Sequence, residues 1–173
     1  MPLISFGHRP RTVAATDEGL LAIGLVEGSP PSRAGPSLVA GRYDLDTGWW
    51  TLLSPPPGPA RFAATSVWSG DVWYVLGGTT AAGERLDGLA WSAADDDWTY
   101  LPPAPFSPAT VHWDHDRLVV ADRMGARVAV LDLRSATDET TLQLVPSDRM
   151  TPAAGVSSPD ADPTIGLGRG TAL

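Results

Sequence analysis

Apolar residues along this chain gather in short runs, each stopped by a cluster of Gly, Asp, Ser or Pro. Leu20-Leu21-Ala22-Ile23-Gly24, Val72-Trp73-Tyr74-Val75-Leu76 and Leu118-Val119-Val120-Ala121 are three such runs. Each follows a tight polar turn: Asp17-Glu18-Gly19, Ser69-Gly70-Asp71 and Asp114-His115-Asp116-Arg117. Ahead of those turns stand Arg11-Thr12-Val13-Ala14-Ala15-Thr16, Arg61-Phe62-Ala63-Ala64-Thr65-Ser66-Val67-Trp68 and Ala109-Thr110-Val111-His112-Trp113. Runs this short, spaced at about 8–12 residues and bounded by turn formers, predict the strands of an all-β fold. No stretch sustains apolar residues at i, i+3, i+4 and i+7 over the length of a helix.

The pattern repeats. Tyr43 is followed after six residues by Trp50, and Trp91 after six residues by Trp98, the two copies lying 48 residues apart. Each pair leads into a Pro-rich break, Pro55-Pro56-Pro57 and Pro102-Pro103-Ala104-Pro105. Val128-Ala129-Val130-Leu131-Asp132-Leu133-Arg134 stands at the corresponding place a third time, with Thr141-Leu142-Gln143-Leu144-Val145-Pro146 after it. Four short strands in about 45 residues with a spaced Trp match one antiparallel blade of a β-propeller. A large ring late in each unit suits the wedge between adjacent sheets. The chain therefore divides into a lead-in (1–10), three blades (11–54, 55–102 and 103–146), and a partial strand with a flexible tail (147–173).

An apolar run, Gly77-Gly78, then an aromatic, six residues and Trp98 resembles the kelch repeat, with Arg61 where that motif often places Arg in its first strand. The first unit keeps the Tyr43/Trp50 pair around a single Gly24, and the third has Ala121-Asp122 in place of the double glycine. The resemblance covers about three quarters of the chain. It implies a partial kelch-like propeller that binds a protein or carbohydrate partner, without catalysis, through the loops of one rim. Those loops are Val26 to Ser37, Thr79 to Leu86 and Arg123-Met124-Gly125-Ala126, with the links Pro55 to Ala60 and Pro102 to Pro108. Arg33, Arg61, Arg85 and Arg123 lie in or beside them, placed to hold an acidic partner by bidentate hydrogen bonds. The alternative is a fragment of a sugar-processing or sialidase-like propeller enzyme whose catalytic residues lie in further blades. The copper radical oxidases of this family need a Tyr–Cys cross-link, which a chain without Cys cannot make. Propellers close with about four to eight blades. Three blades therefore leave two apolar faces open, so the chain is expected either to self-associate or to belong to a longer propeller.

Charge narrows the partners. The formal net charge is −8, which disfavours binding to phosphate backbones, so no nucleic-acid partner is expected. All 12 basic residues are Arg, so Schiff-base chemistry on a lysine and a P-loop lysine are both excluded. The absence of Cys removes disulfides and thiolate-bound metals. No run approaches the roughly 18–20 apolar residues of a membrane span. The first residues do not read as a signal peptide, so the default expectation is a cytoplasmic protein with no membrane partner.

Candidate chemistry is sparse, and no cofactor or metal is expected. His112-Trp113-Asp114-His115-Asp116 is the densest set of metal-ligand types, yet strand alternation sends His112 and His115 to opposite faces. Asp44-Leu45-Asp46-Thr47-Gly48 begins like a calcium loop but has Pro55 where the twelfth-position glutamate belongs, so it reads as a turn. Asp95-Asp96-Asp97 reads as a solvated turn. Gly77-Gly78 precedes no helix and reads as a sharp backbone bend rather than a phosphate cradle. No Ser/His/Asp layout stands out.

Overall fold

The computed structural model describes residues 11–26, 37–132 and 143–145. The lead-in, the segment holding Arg33, and the partial strand and tail from 147 to 173 lie outside the described residues. Among those described there is no helix, and the strands form antiparallel sheets.

Three sheets have four strands each. The first runs β1 (Thr12–Ala15), β2 (Gly19–Val26), β3 (Ser37–Asp44), β4 (Trp50–Leu53) in plain sequence order. The second runs β5 (Thr65–Trp68), β6 (Val72–Leu76), β9 (Gly88–Ser92), β10 (Asp97–Leu101), with a two-stranded ribbon, β7 (Thr79–Thr80) and β8 (Gly83–Glu84), inserted between β6 and β9. The third is β11 (Thr110–Asp114), β12 (Arg117–Ala121), β13 (Val128–Asp132), β14 (Gln143–Val145). Neighbouring strands pair antiparallel throughout, β1–β2, β5–β6 and β11–β12 through tight turns.

Side chains alternate across a strand, so each sheet has two faces. In the middle sheet both faces are buried, which explains why Val72–Leu76 is apolar at every position. Trp73, Val75, Leu89, Trp91 and Trp98 pack on Ala14, Leu21, Ile23 and Ala40 of the first sheet. Tyr74, Leu76 and Ala90 pack on Leu118, Val120, Ala129 and Leu131 of the third, with Ala104 and Phe106 of the connecting link closing the end. The first strands of the three sheets meet: β5 lies beside both β1 and β11. The hydroxyl of Ser66 donates to the carbonyl of Val13 at 3.1 Å across the first of these junctions.

Register aligns Trp68, Trp73, Trp91 and Trp98 as one row across the middle sheet. Trp73 and Trp98 stand 5.7 Å apart, tilted by 50°, in the offset geometry that aromatic rings favour. The Trp98 indole N–H donates to the Ser54 carbonyl at 2.8 Å, so the ring that fills the seam also ties it to the end of the first sheet. Asp96, at φ +49°, completes that tie: its carboxylate accepts from the Ser54 N–H at 2.9 Å and from the Trp91 indole at 2.9 Å.

Trp98→Ala is expected to cost about 3–5 kcal/mol of folding stability, because it opens a cavity in the seam and orphans the Ser54 carbonyl. Trp49→Ala, at a side chain 58% exposed, is expected to cost less than about 0.5 kcal/mol. Urea unfolding of the two variants measures the difference.

Candidate functional site

At the end of β6 the chain must leave the sheet and return as β9. Gly77 and Gly78 make the exit, with φ of +66° and +90°, a region that L side chains rarely adopt. A Cβ on Gly78 would stand 2.9 Å from the Phe62 carbonyl oxygen, so this close approach also excludes a side chain. The bend lets β7 reach the incoming link, where Phe62 and Thr79 exchange two backbone hydrogen bonds of 2.8 Å. The Gly77 N–H donates to the Asp87 carbonyl and the Arg85 N–H to the Gly78 carbonyl, closing the loop at its base.

Asp87 is the hub of that base. Arg85 grips its carboxylate in a bidentate fork, Nε to Oδ1 at 2.8 Å and Nη2 to Oδ2 at 2.7 Å. Arg61 donates from the other side, Nη2 to Oδ2 at 2.8 Å, and its Nη1 reaches the carbonyls of Asp87 at 2.9 Å and Gly77 at 3.3 Å. The hydrogen bonds from Arg85, with those and the charge of Arg61, pull the Asp87 carboxyl from its ordinary 3.8 down to about 2, against the opposing effect of burial.

A cleft of about 610 Å³, lined by none of Arg61, Arg85 and Asp87, opens between the second and third sheets. Its walls come from three places: the β7–β8 ribbon (Thr79, Glu84), the link between the sheets (Ser107, Pro108, Ala109), and the β12–β13 turn (Asp122, Arg123, Met124, Arg127). Each wall is held locally. The Glu84 carboxylate accepts from the Ser107 hydroxyl, joining ribbon to link. Asp122 accepts from the Ala126 N–H at 3.0 Å and from Arg127 Nε at 2.8 Å, and these contacts, Arg127 foremost, hold its carboxyl below the ordinary range. The Arg127 guanidinium also lies 5.1 Å from the centre of the Phe106 ring. Arg123 and Met124 project from the tip of the turn, Met124 being 85% exposed. Among the described residues no carboxylate pairs with Arg123.

A smaller hollow of about 230 Å³ lies at the opposite ends of the strands, between the β1–β2 and β5–β6 turns. Asp17, Glu18 and Arg42 line it, with Arg42 only 3.9 Å from Glu18.

The four arginines singled out in the sequence fall in different settings. Arg33 lies outside the described residues. Arg61 is only 6% exposed; its two terminal nitrogens are engaged by Asp87 and two carbonyls while its buried Nε has no partner, so an incoming ligand would have to displace Asp87 to use the guanidinium fork. Arg85 is half-buried and already ion-paired with Asp87. Arg123 lines the large cleft. The loops Thr79–Leu86 and Arg123–Ala126 and the link ending at Pro108 converge on that cleft, whereas Pro55–Ala60 does not line it.

The other motifs resolve into turns. Asp44 Oδ1 accepts from the Thr47 N–H at 2.8 Å, ahead of Gly48 at φ +71°. His112 is exposed, and His115, at φ +58°, pairs with Asp114 at 2.7 Å. Among the described residues no three His, Asp or Glu side chains gather in a metal-binding arrangement. Sequence reasoning missed Asp87, because a single Asp in a turn-rich chain carries no local mark of its distant partner, and it read Asp96 only as part of a solvated turn, whereas its carboxylate accepts from Ser54 and Trp91. No protein-family model matches the chain, and no curated protein matches it either.

Asp87→Asn leaves buried Arg61 without its counter-charge and is expected to destabilise the fold by about 3–5 kcal/mol at neutral pH. A depressed carboxyl stabilises fully above its unfolded value of 3.8, and that share is lost as pH falls towards about 2. The gap between wild type and variant should therefore narrow by about 1–2 kcal/mol on acidification, allowing for partial solvent screening. Urea midpoints taken between neutral pH and pH 2 measure it.

Proposed function

We propose that the chain is a kelch-like partial β-propeller acting as a non-catalytic binding module, with a protein or carbohydrate partner seated in the large cleft between the second and third sheets. The reading of the sheets as blades is supported by their common up-and-down order, by the meeting of their first strands, and by the repeated aromatic positions in register.

The observation that carries the functional reading is the convergence of three separate loop segments on one cleft, with Arg123 and Met124 at its lip. Arg127, Glu84 and Asp122 already have partners inside the chain, which leaves the Arg123 guanidinium as the charged group for an incoming ligand. A planar fork beside an exposed thioether suits a carboxylate-bearing ligand with an apolar flank, such as an acidic peptide or a uronic-acid oligosaccharide. Cation and carboxylate would form a charge-assisted pair at the lip, and the small residues Ala63, Gly78 and Ala109 would leave room for the ligand's body.

Two probes test this, a Glu-rich peptide and a uronic-acid oligosaccharide, each titrated into labelled protein and followed by amide NMR shifts. At least one is expected to move the resonances of Thr79, Glu84, Ser107 to Ala109 and Asp122 to Arg127. Arg123→Ala should weaken that probe about tenfold, the loss of one charge-assisted hydrogen bond. Arg42→Ala, in the smaller hollow, should leave it unchanged. Shifts confined to residues outside the cleft, or none with either probe, would refute the proposal.

A further inference from the structure

The smaller hollow shares no lining residue with the large cleft and lies at the other end of the strands, where the first and second sheets meet. Two pairs of turns frame it, and each pair is tied by backbone. The Leu45 N–H donates to the Glu18 carbonyl at 3.1 Å, joining the β1–β2 turn to the β3–β4 turn. The Ala93 N–H donates to the Asp71 carbonyl at 3.0 Å, joining the β5–β6 turn to the β9–β10 turn. Beside Gly70 the space is open, since a Cβ there would meet no atom within 4 Å.

Its two sides differ in chemistry. The second sheet contributes the Trp68 and Trp91 rings, with centres 6.3 Å apart and planes tilted by 34°. Trp91 is fixed in place by its indole N–H, which donates to Asp96. The first sheet contributes two carboxylates, Asp17 and Glu18, against one guanidinium, Arg42. Arg42 stands 3.9 Å from Glu18, the outer limit of an ion pair, and both side chains are exposed. Among the described residues the Asp17 carboxylate has no hydrogen bond and no ion pair. Thr16, also in the lining, carries a buried hydroxyl without a hydrogen-bond partner, a group that in native proteins usually meets a water or a ligand.

We propose that this hollow is a second binding site and that it takes an alkylammonium head group, the end of a lysine side chain or a free aliphatic amine. An ammonium finds an unpartnered acceptor in Asp17 and a second carboxylate in Glu18, and the negative faces of the indoles attract it further. Its methylene stem suits Trp68 and Leu21. Arg42 is a loosely held cation on the same carboxylate wall, a place that the incoming ammonium contests. An anion, by contrast, would meet two carboxylates for one guanidinium. The cation must come from outside the chain if it is an amine side chain, because all 12 basic residues here are Arg. At about 230 Å³ the hollow falls below the roughly 300–1,000 Å³ of a drug-sized pocket, so it accepts a head group and not a polymer.

The test is a titration of n-butylammonium chloride into labelled protein at constant ionic strength, followed by amide and indole N–H NMR shifts. Saturable shifts are expected at Thr16 to Gly19, Gly70, Ala93 and the Trp68 and Trp91 indoles, with Asp122 to Arg127 unmoved. Neutral n-butanol, of the same length, should bind at least about fivefold more weakly. Asp17→Asn should weaken the amine about threefold, and Arg42→Ala, which removes the competing cation, should tighten it about threefold. Both side chains are exposed, so the two variants keep the fold. Capped lysine that matches butylammonium assigns the head group to a partner's side chain, and capped lysine that fails where butylammonium binds assigns it to a free amine. Shifts that grow linearly with concentration, that lie outside the hollow or that butanol reproduces overturn the proposal. An amine affinity that falls in Arg42→Ala, or that is unchanged in Asp17→Asn, overturns it as well.

Discussion

The architecture depends on the middle sheet being buried on both faces. A single four-stranded sheet has no core of its own, because each apolar face needs a second layer to exclude water. Here β6 and β9 send Trp73, Val75, Leu89 and Trp91 one way and Tyr74, Leu76 and Ala90 the other, so one pair of strands supplies half of two cores. The register of the second sheet is thereby locked. A slip by one residue would exchange the two faces and put the tryptophans against a seam shaped for Tyr74 and Leu76.

Polar contacts then set the order of the seams rather than their existence. Ser54 is held from two directions, by the Trp98 indole and by the Asp96 carboxylate, at the point where the first sheet ends. Ser66 and Val13 make a second polar link at the junction of first strands. The exposed bonds add little net energy each; the Trp98–Ser54 bond is partly buried, so leaving its carbonyl unmet is costly and penalises a displaced ring.

The same economy produces the cleft. The double glycine releases the chain from β6, the Arg61–Asp87–Arg85 cluster anchors the base, and the loop above the base is left to form a ribbon at the surface. The third sheet contributes a turn whose Asp122 is consumed in holding its own backbone and Arg127. With those charges satisfied internally, the lip is defined by what is left over, Arg123 and Met124. Rigid bases under exposed loop tips are the usual arrangement for recognition surfaces on β folds.

The chain's own residues determined whatever depends on near neighbours. Alternation and turn chemistry placed the strands, the 48-residue spacing of Tyr43/Trp50 and Trp91/Trp98 announced the repeat, and Gly77-Gly78 announced the bend. Those features rest on backbone conformations and periodicities that a few adjacent residues set by themselves. Tertiary structure alone decided which face of each sheet is covered, that Arg61 is a buried clamp while Arg123 stands at a lip, and that Asp96 clasps Ser54 rather than pointing into solvent. Residues such as Arg61 and Arg123 are chemically identical in the sequence. Their difference comes from carboxylates and carbonyls that only the packing of distant strands brings within hydrogen-bonding range.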